Sequence, residues 1–274
     1  MDKATVHAPD HLVCLPREES CTVLAGRTLS NNGVLCELVL QAPYCATQVQ
    51  PGQFVHLQLP QLEAHILRRP FSVYKASAKE GTITLFYQVV GEGTQHMSTL
   101  EAGAKLSVIG PLGRGWQPLS AQHCLLIGGG VGAAPLYLLA CKLASQRVQL
   151  DVVLGAACAD YLCAEDSFVE LLSSKHVHIT TDDGSKGYKG FTTQIAAELL
   201  AHHHFDYLAT CGPEPMQKVV AELAKQAGIT CEVSLERRMA CGVGACLSCV
   251  IATEQGKKRA CVDGPVFPAQ EVCW

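Results

Sequence analysis

The sequence has little net charge and no long apolar run, and each absence removes a class of function. A formal net charge of −4 over 274 residues gives no electrostatic case for nucleic acid or an anionic membrane as partner. No stretch approaches the roughly 18 consecutive apolar residues of a membrane-spanning helix, so no membrane partner is expected. Residues 1–17 hold acids, histidines and prolines where a secretory signal has a basic start and an apolar core. The expected location is therefore cytoplasmic. Internal repeats and low-complexity linkers are missing too.

What is present is a globular composition, 48% hydrophobic and 17% charged, in a length that suits two or three domains. The fifteen cysteines stand out. Most are scattered singly through apolar segments, Cys36, Cys124 and Cys141 among them, and read as small buried hydrophobes in a reducing compartment. The other four are grouped near the C-terminus.

The rhythm of the chain changes twice, which predicts a multidomain β plus α/β protein. Over residues 18–117 short β-rich runs alternate with turn signals. Thr22 to Leu29 and Val34 to Leu40 flank Ser30-Asn31-Asn32-Gly33 as a hairpin. Phe54 to Leu59, Phe71 to Tyr74, Thr82 to Val90 and Lys105 to Ile109 follow as strands, with no helical period. A small antiparallel barrel is expected. Over residues 118–230 strands at Cys124 to Ile127, Val148 to Leu154, Val177 to Thr181 and Tyr207 to Thr210 alternate with helices. The helices are Ala133 to Ala144, Phe168 to Leu172, Thr192 to Ala201 and Glu214 to Ala227. That alternation predicts a parallel sheet covered on both faces. Residues 231–274 form a small third unit that holds the cysteine group.

Cys241-Gly-Val-Gly-Ala-Cys246-Leu-Ser-Cys249 reads C-x4-C-x2-C, and eleven residues separate Cys249 from Cys261. This is the plant-type spacing for a 2Fe–2S cluster, three thiolates from one loop and a fourth from a returning segment. The small residues Gly242, Gly244 and Ala245 let the loop wrap closely. Four thiolates also suit structural zinc, although zinc ligands usually arrive as two short-spaced pairs.

Gly128-Gly129-Gly130-Val131-Gly132 follows a strand and opens a helix, where backbone amides and the helix end can meet a pyrophosphate. Taken alone, it is equally a tight turn. Cys211-Gly212-Pro213 occupies a second strand-to-helix junction, and two such loops at the carboxyl edge of one sheet define a ligand crevice. No Arg or Lys lies between Gly155 and Ser167 to meet a 2′-phosphate, so NAD(H) is expected over NADP(H). In the barrel region Arg69, after Arg68, can fork onto a pyrophosphate and Ser72 can bond a ring edge. Gly93 and Thr94 can offer amides to the same phosphates. Either motif alone is also what a surface basic pair beside a turn looks like.

Together, Arg69-Pro70-Phe71-Ser72, the glycine loop and Cys211-Gly212-Pro213-Glu-Pro-Met216 resemble the ferredoxin–NADP reductase superfamily. The tail from Val233 through the cysteines, with Cys261-Val-Asp-Gly-Pro-Val-Phe267 and Glu271-Val-Cys-Trp274, is similar to the electron-transfer subunits of type B dihydroorotate dehydrogenases. The likeness runs from about Cys21 to Trp274. It implies FAD on the barrel, contacted by Arg69, Pro70, Phe71 and Ser72, with Phe86, Tyr87 and Gln88 as the aromatic strand segment before Gly93 and Thr94. It implies NAD(H) as co-substrate at Gly128, Gly129, Gly130, Gly132, Cys211, Gly212 and Pro213. The cluster ligands map onto Cys241, Cys246, Cys249 and Cys261, and no catalytic acid or base is expected.

The partner implied is a separate FMN-containing dihydroorotate dehydrogenase catalytic subunit, two plus two in a heterotetramer, with net electron flow towards NAD⁺ in pyrimidine (UMP) biosynthesis. Three alternatives stay open: a subunit of an NADH-dependent ferredoxin or sulfide oxidoreductase, an oxygenase reductase with an appended ferredoxin, and a zinc-stabilised adaptor without redox activity. Several relatives of the first kind place a carboxylate among the ligands, where this chain has four cysteines. Only 44 residues, 231–274, remain for a ferredoxin in the second.

Overall fold

The computed structural model describes residues 15–60 and 66–274. Most of the N-terminal segment read above lies outside the described residues. The first unit is a closed barrel with strand order β1-β2-β5-β4-β3-β6. Its strands are β1 (Arg17–Thr28), β2 (Leu35–Gln41), β3 (Phe54–Gln58), β4 (Arg69–Ser77), β5 (Thr82–Gln88) and β6 (Lys105–Leu112). The period-two pattern fills the barrel. In β5, Ile83, Leu85 and Tyr87 join the barrel interior, while Phe86 packs in a different core, on the outer side. The β1–β2 turn is held by Ser30, whose Oγ accepts from the amides of Val34 at 3.1 Å and Leu35 at 2.9 Å.

Two helices that the sequence reading missed interrupt the barrel, α1 (Pro43–Gln48) and α2 (Glu92–Met97). Each has six residues, too few for a 3.6-residue period to show. Their ends are fixed by side chains remote from any periodic signal. Glu19 accepts from the amides of Tyr44 (2.8 Å) and Cys45 (3.2 Å) at the start of α1, and the Thr94 hydroxyl accepts from the amides of Val90 and Gly91 before α2.

The second unit is a seven-stranded sheet in the order β10-β9-β8-β7-β11-β12-β15. It comprises β7 (His123–Gly129), β8 (Gln149–Ala156), β9 (Val177–Thr181), β10 (Tyr188–Lys189), β11 (Tyr207–Cys211) and β12 (Thr230–Ser234), with β15 (Val266–Pro268) at one edge. All pairings are parallel except β12 with β15. Helices α3 (Ala134–Ser145) and α4 (Glu165–Leu172) pack in one core. Helices α5 (Thr192–His202) and α6 (Glu214–Ala227) pack in another. Gly228, at φ +70°, closes α6, the left-handed residue that glycine adopts without strain.

The third unit is joined to the second through strand pairing. All five residues of β12 pair with β11, so a division between residues 230 and 231 falls inside a strand of the nucleotide sheet. The cysteine segment is instead a lobe between β12 and β15, carrying the hairpin β13 (Val250–Thr253) and β14 (Gly256–Arg259). It shares a core with both other units. Phe54 and Leu112 from the barrel, Ile127 from the sheet, and Cys249, Cys261 and Phe267 from the tail are buried together. Bringing these segments together fixes the cysteines relative to both the barrel and the nucleotide loops.

Candidate functional site

Strands β7 and β11 lie side by side, with Gly128 opposite Cys211. The first connection from β7 runs to β8 on one side, and β11 starts the other half of the sheet. This is the switch point at which open α/β sheets bind ligands. The two loops leaving these strands touch backbone to backbone. A Cβ at Gly132 would stand 2.5 Å from the Cys211 carbonyl oxygen, and one at Gly212 would stand 2.9 Å from Cα of Gly129. Glycine is needed because main chain, not side chain, fills the space.

A cleft of ≈ 780 Å³ opens over this point. Gly129, Gly130, Gly132, Gly212 and Pro213 line it, together with Gln88 from the barrel. Gly128 and Cys211 sit beneath, Cys211 being buried. The sequence reading missed three contributors. Asp182, after β9, lines the cleft, and so do Glu236 and Arg237 from the tail. The Arg237 guanidinium is paired with Glu214 at 3.0 Å, so the cation of this wall is already neutralised. Burial pushes the Glu236 carboxyl up. Asp182 carried no local signal: the acid that nucleotide folds place about 20 residues past the first loop would fall near β8, whereas Asp182 follows β9, two strands over from β7.

On the barrel, the two arginines have separate jobs. Arg68 ties strands together: it pairs with Glu18 at 2.7 Å and donates to the Ser107 carbonyl at 3.1 Å. Arg69 extends over Gly93, where a side-chain Cβ would collide with the guanidinium. Folding thus brings Arg69 to Gly93 at the start of α2, although 23 residues lie between the two in the chain. Phe54 pairs with Ser72 and His56 with Pro70 across β3 and β4. Phe86 is buried against Tyr74, rings 5.5 Å apart. Tyr87 differs from its neighbours, for its ring packs on Phe71 at 5.8 Å within the barrel core. That leaves Phe86 and Gln88 as the side chains of this segment on the outer side.

The four grouped cysteines converge from two segments. The amides of Ala245 (3.3 Å) and Cys246 (3.4 Å) donate to Cys241 Sγ. Cys249 and Cys261 are buried against the shared core. Burial, then Cys249, pushes the Cys261 thiol up to about 12. The Ser248 hydroxyl, followed by main-chain amides and Cys241, draws the exposed Cys246 thiol down to about 6. Gly242 and Gly244 have φ of +70° and +82°, the region that favours glycine. Arg259, which the sequence reading passed over, clamps the two segments. It pairs with Asp263 at 3.1 Å and reaches the Gly244 carbonyl at 3.4 Å.

This donor set fits an iron–sulfur cluster. It offers thiols, amides aimed at sulfur, and a loop of small residues.

The comparisons follow the same three-part division. The family described as the oxidoreductase FAD-binding domain matches residues 20–116, and the oxidoreductase NAD-binding domain matches residues 126–222. The iron–sulfur cluster binding domain of dihydroorotate dehydrogenase B matches residues 236–273. The dihydroorotate dehydrogenase B (NAD(+)) electron transfer subunit of Desulforamulus reducens is 39% identical over 243 residues, 85% of this chain and 90% of that one. Its counterpart from Fusobacterium nucleatum is 39% identical over 229 residues, 81% of this chain and 86% of that one. Among solved structures, a chain of the NADH-dependent reduced ferredoxin-NADP oxidoreductase superposes with a TM-score of 0.83 at 32% identity, covering 92% of this chain and 89% of that one. The ferredoxin reductase of carbazole 1,9a-dioxygenase, at 21% identity and a TM-score of 0.62, shares the fold over 79% of this chain and 68% of its own. With flavin barrel, nucleotide sheet and cysteine lobe all matched, the chain belongs to the family of dihydroorotate dehydrogenase B electron transfer subunits, oxidoreductase subunits that use FAD, NAD(H) and an iron–sulfur cluster.

Proposed function

We propose that this chain links NAD(H) to the FMN of a dihydroorotate dehydrogenase catalytic subunit, in a cytoplasmic two-plus-two heterotetramer serving pyrimidine biosynthesis. The observation that carries the reading is the meeting of three donor sets around shared packing. The nucleotide loops, the Arg69 strand and the cysteine lobe adjoin one another through Phe54, Leu112 and Gln88. When bound, the flavin joins hydride exchange with NAD(H) to the single-electron traffic of an iron–sulfur centre, here of the 2Fe–2S type.

The chain's own residues bind and orient. Gly129, Gly130 and Gly132 let a dinucleotide pyrophosphate approach the main chain. Arg69, held over Gly93, pairs with the flavin pyrophosphate, and Ser72 with the ring edge. Cys241, Cys246, Cys249 and Cys261 hold the cluster. No general acid or base is asked of this chain, since the pyrimidine chemistry belongs to the partner. One feature supports a docking face at the cluster. Val243, Leu247 and Val262 beside the ligands are exposed, and apolar patches of this kind mark contact surfaces. Every described cysteine is a free thiol, as a reducing compartment requires.

Co-expression with a dihydroorotate dehydrogenase catalytic subunit tests the reading. The expected product is a stable assembly that reduces NAD⁺ with dihydroorotate under anaerobic conditions. A second reading, a subunit of an NADH-dependent ferredoxin oxidoreductase, is favoured by the close superposition on such a chain. An assembly that exchanges electrons with ferredoxin and leaves dihydroorotate untouched decides for it.

Two further outcomes are expected. Arg69→Ala weakens FAD retention by a charge-assisted bond, on the order of 1.5–3 kcal/mol, read as flavin lost on gel filtration. Acid-released flavin that is FMN alone refutes the assignment. NADH reduces the flavin at least about tenfold more efficiently than NADPH, about 1.4 kcal/mol, because Asp182 faces the cleft and Arg237 is engaged by Glu214. Asp182→Ser narrows that ratio. Equal efficiencies in the wild type rule out the NAD(H) assignment and leave the fold untouched.

A further inference from the structure

One buried polar side chain between the flavin strand and the cysteine loop has no role in the account so far. His56 on β3 is fully buried. Neither of its ring nitrogens has a hydrogen-bond partner among the described residues, whereas interior polar groups are paired in the great majority of cases. The main-chain carbonyls of Arg68 and Cys241 approach the ring and partly offset the downward pull of burial on its pKa, but neither is aligned for a hydrogen bond to a ring nitrogen. A neutral imidazole carries one N–H and one acceptor nitrogen, so the N–H buried here has no well-aligned acceptor.

The surroundings say where the acceptor belongs. Across the barrel strands His56 faces Pro70, within the Arg69–Ser72 motif. On its other side is the cysteine loop. A Cβ at Gly242 would stand 2.5 Å from His56 Nδ1 and 3.2 Å from its Cε1, so the glycine beside the ligand Cys241 makes the space the ring occupies. Gly242 is required twice, for its φ of +70° and for this contact. The amides of Ala245 and Cys246 already point at Cys241 Sγ. Sulfur is the acceptor chemistry of this spot, and the imidazole is the donor that lacks one.

We propose that His56 is a positioning residue for the iron–sulfur cluster, giving its N–H from the flavin barrel to a sulfur at the Cys241 end of the cluster. This rests on the reading that the four cysteines hold such a cluster. Hydrogen bonds to cluster sulfurs tune the potential, and a donor favours the more negative, reduced form. The barrel thereby sets the redox poise of a group carried by another lobe, and His56 joins that group to the strand that also bears the flavin motif.

The test uses the holoprotein with its partner. Iron and sulfide are assayed first, and their absence from the wild type overturns the cluster reading and this inference with it. With iron present, pulsed EPR of the reduced cluster in ¹⁵N-histidine-labelled wild type shows a weakly coupled histidine nitrogen. In potentiometric titration His56→Leu disfavours cluster reduction about tenfold, about 59 mV for one electron, and His56→Gln, which keeps an N–H, recovers most of the shift. A fully loaded His56→Leu with wild-type potential, or an iron-loaded wild type without the nitrogen coupling, overturns the inference alone. Should His56→Leu lose its iron, the wild-type coupling decides.

Discussion

Cys246→Ser purified with its catalytic partner retains FAD, loses most of its iron and sulfide, and no longer reduces NAD⁺ with dihydroorotate. The position isolates the ligand role from the packing role. Cys249 and Cys261 are buried in the core shared by barrel, sheet and lobe, so replacing either also puts a polar group into that core. Cys246 is exposed, and exposed substitutions away from special contacts usually change stability by within about 0.5 kcal/mol. The melting temperature of the metal-free protein is therefore expected to match that of metal-free wild type.

Two parts of the machinery stay intact in this variant. NADH still reduces the flavin, because the cleft and the Arg69 strand contain none of the cysteine loop. Dihydroorotate still reduces the partner, whose chemistry is its own. Only the exchange between the two halves stops. Iron and acid-labile sulfide, each about two per chain in the wild type, are the accompanying measurement. Full NAD⁺-linked turnover by an iron-free Cys246→Ser would falsify the placement of the cluster on the electron path.

Gly132→Val weakens NADH binding about tenfold to a hundredfold, whereas Gly228→Asn, outside the cleft, leaves it nearly unchanged. At Gly132 an added Cβ meets main chain on every near side, the Cys211 carbonyl carbon and the Gly212 nitrogen both at 2.6 Å. No rotamer can yield there. The loops after β7 and β11 must separate, and overpacking of this kind costs on the order of 1–3 kcal/mol, about tenfold to a hundredfold in the Kd for NADH. At Gly228 a Cβ meets nothing within 4 Å, and φ is +70°, a conformation asparagine tolerates. Titration of NADH against flavin-loaded protein measures both variants, and unchanged FAD content shows the barrel unharmed. Equal affinities for the two variants would mean that the touching loops do not form the nucleotide site.

How much of this was legible in advance depends on the range of the interaction. The barrel strands, the alternating sheet and the helix Glu214–Ala227 were readable because their signals are local. Periods of two and 3.6 are written in consecutive residues, and Gly228 stops its helix by its own φ. The cysteine spacing was readable for the same reason, since three of the four grouped cysteines lie in one loop. The helices α1 and α2 were not, because six residues are too few to show a period and single side chains, Glu19 and Thr94, fix their starts.

The sequence by itself showed the chemistry on offer: four cysteines at cluster spacing, glycine-bearing loops after two strands, and an arginine motif in the barrel. It did not determine how those parts meet. Arg68 and Arg69 are adjacent and alike on paper, yet packing commits the first to Glu18 and Ser107 and leaves the second over Gly93. Asp182 and Arg237 enter the cleft only through the sheet order. β12 and β15 bind the cysteine lobe into the nucleotide sheet, because their ladder partners are distant in the chain. His56 reads as an ordinary strand residue until tertiary packing lays Gly242 against its ring. Side-chain types and short spacings are properties of the chain, whereas burial and juxtaposition arise only when segments far apart in sequence share one core.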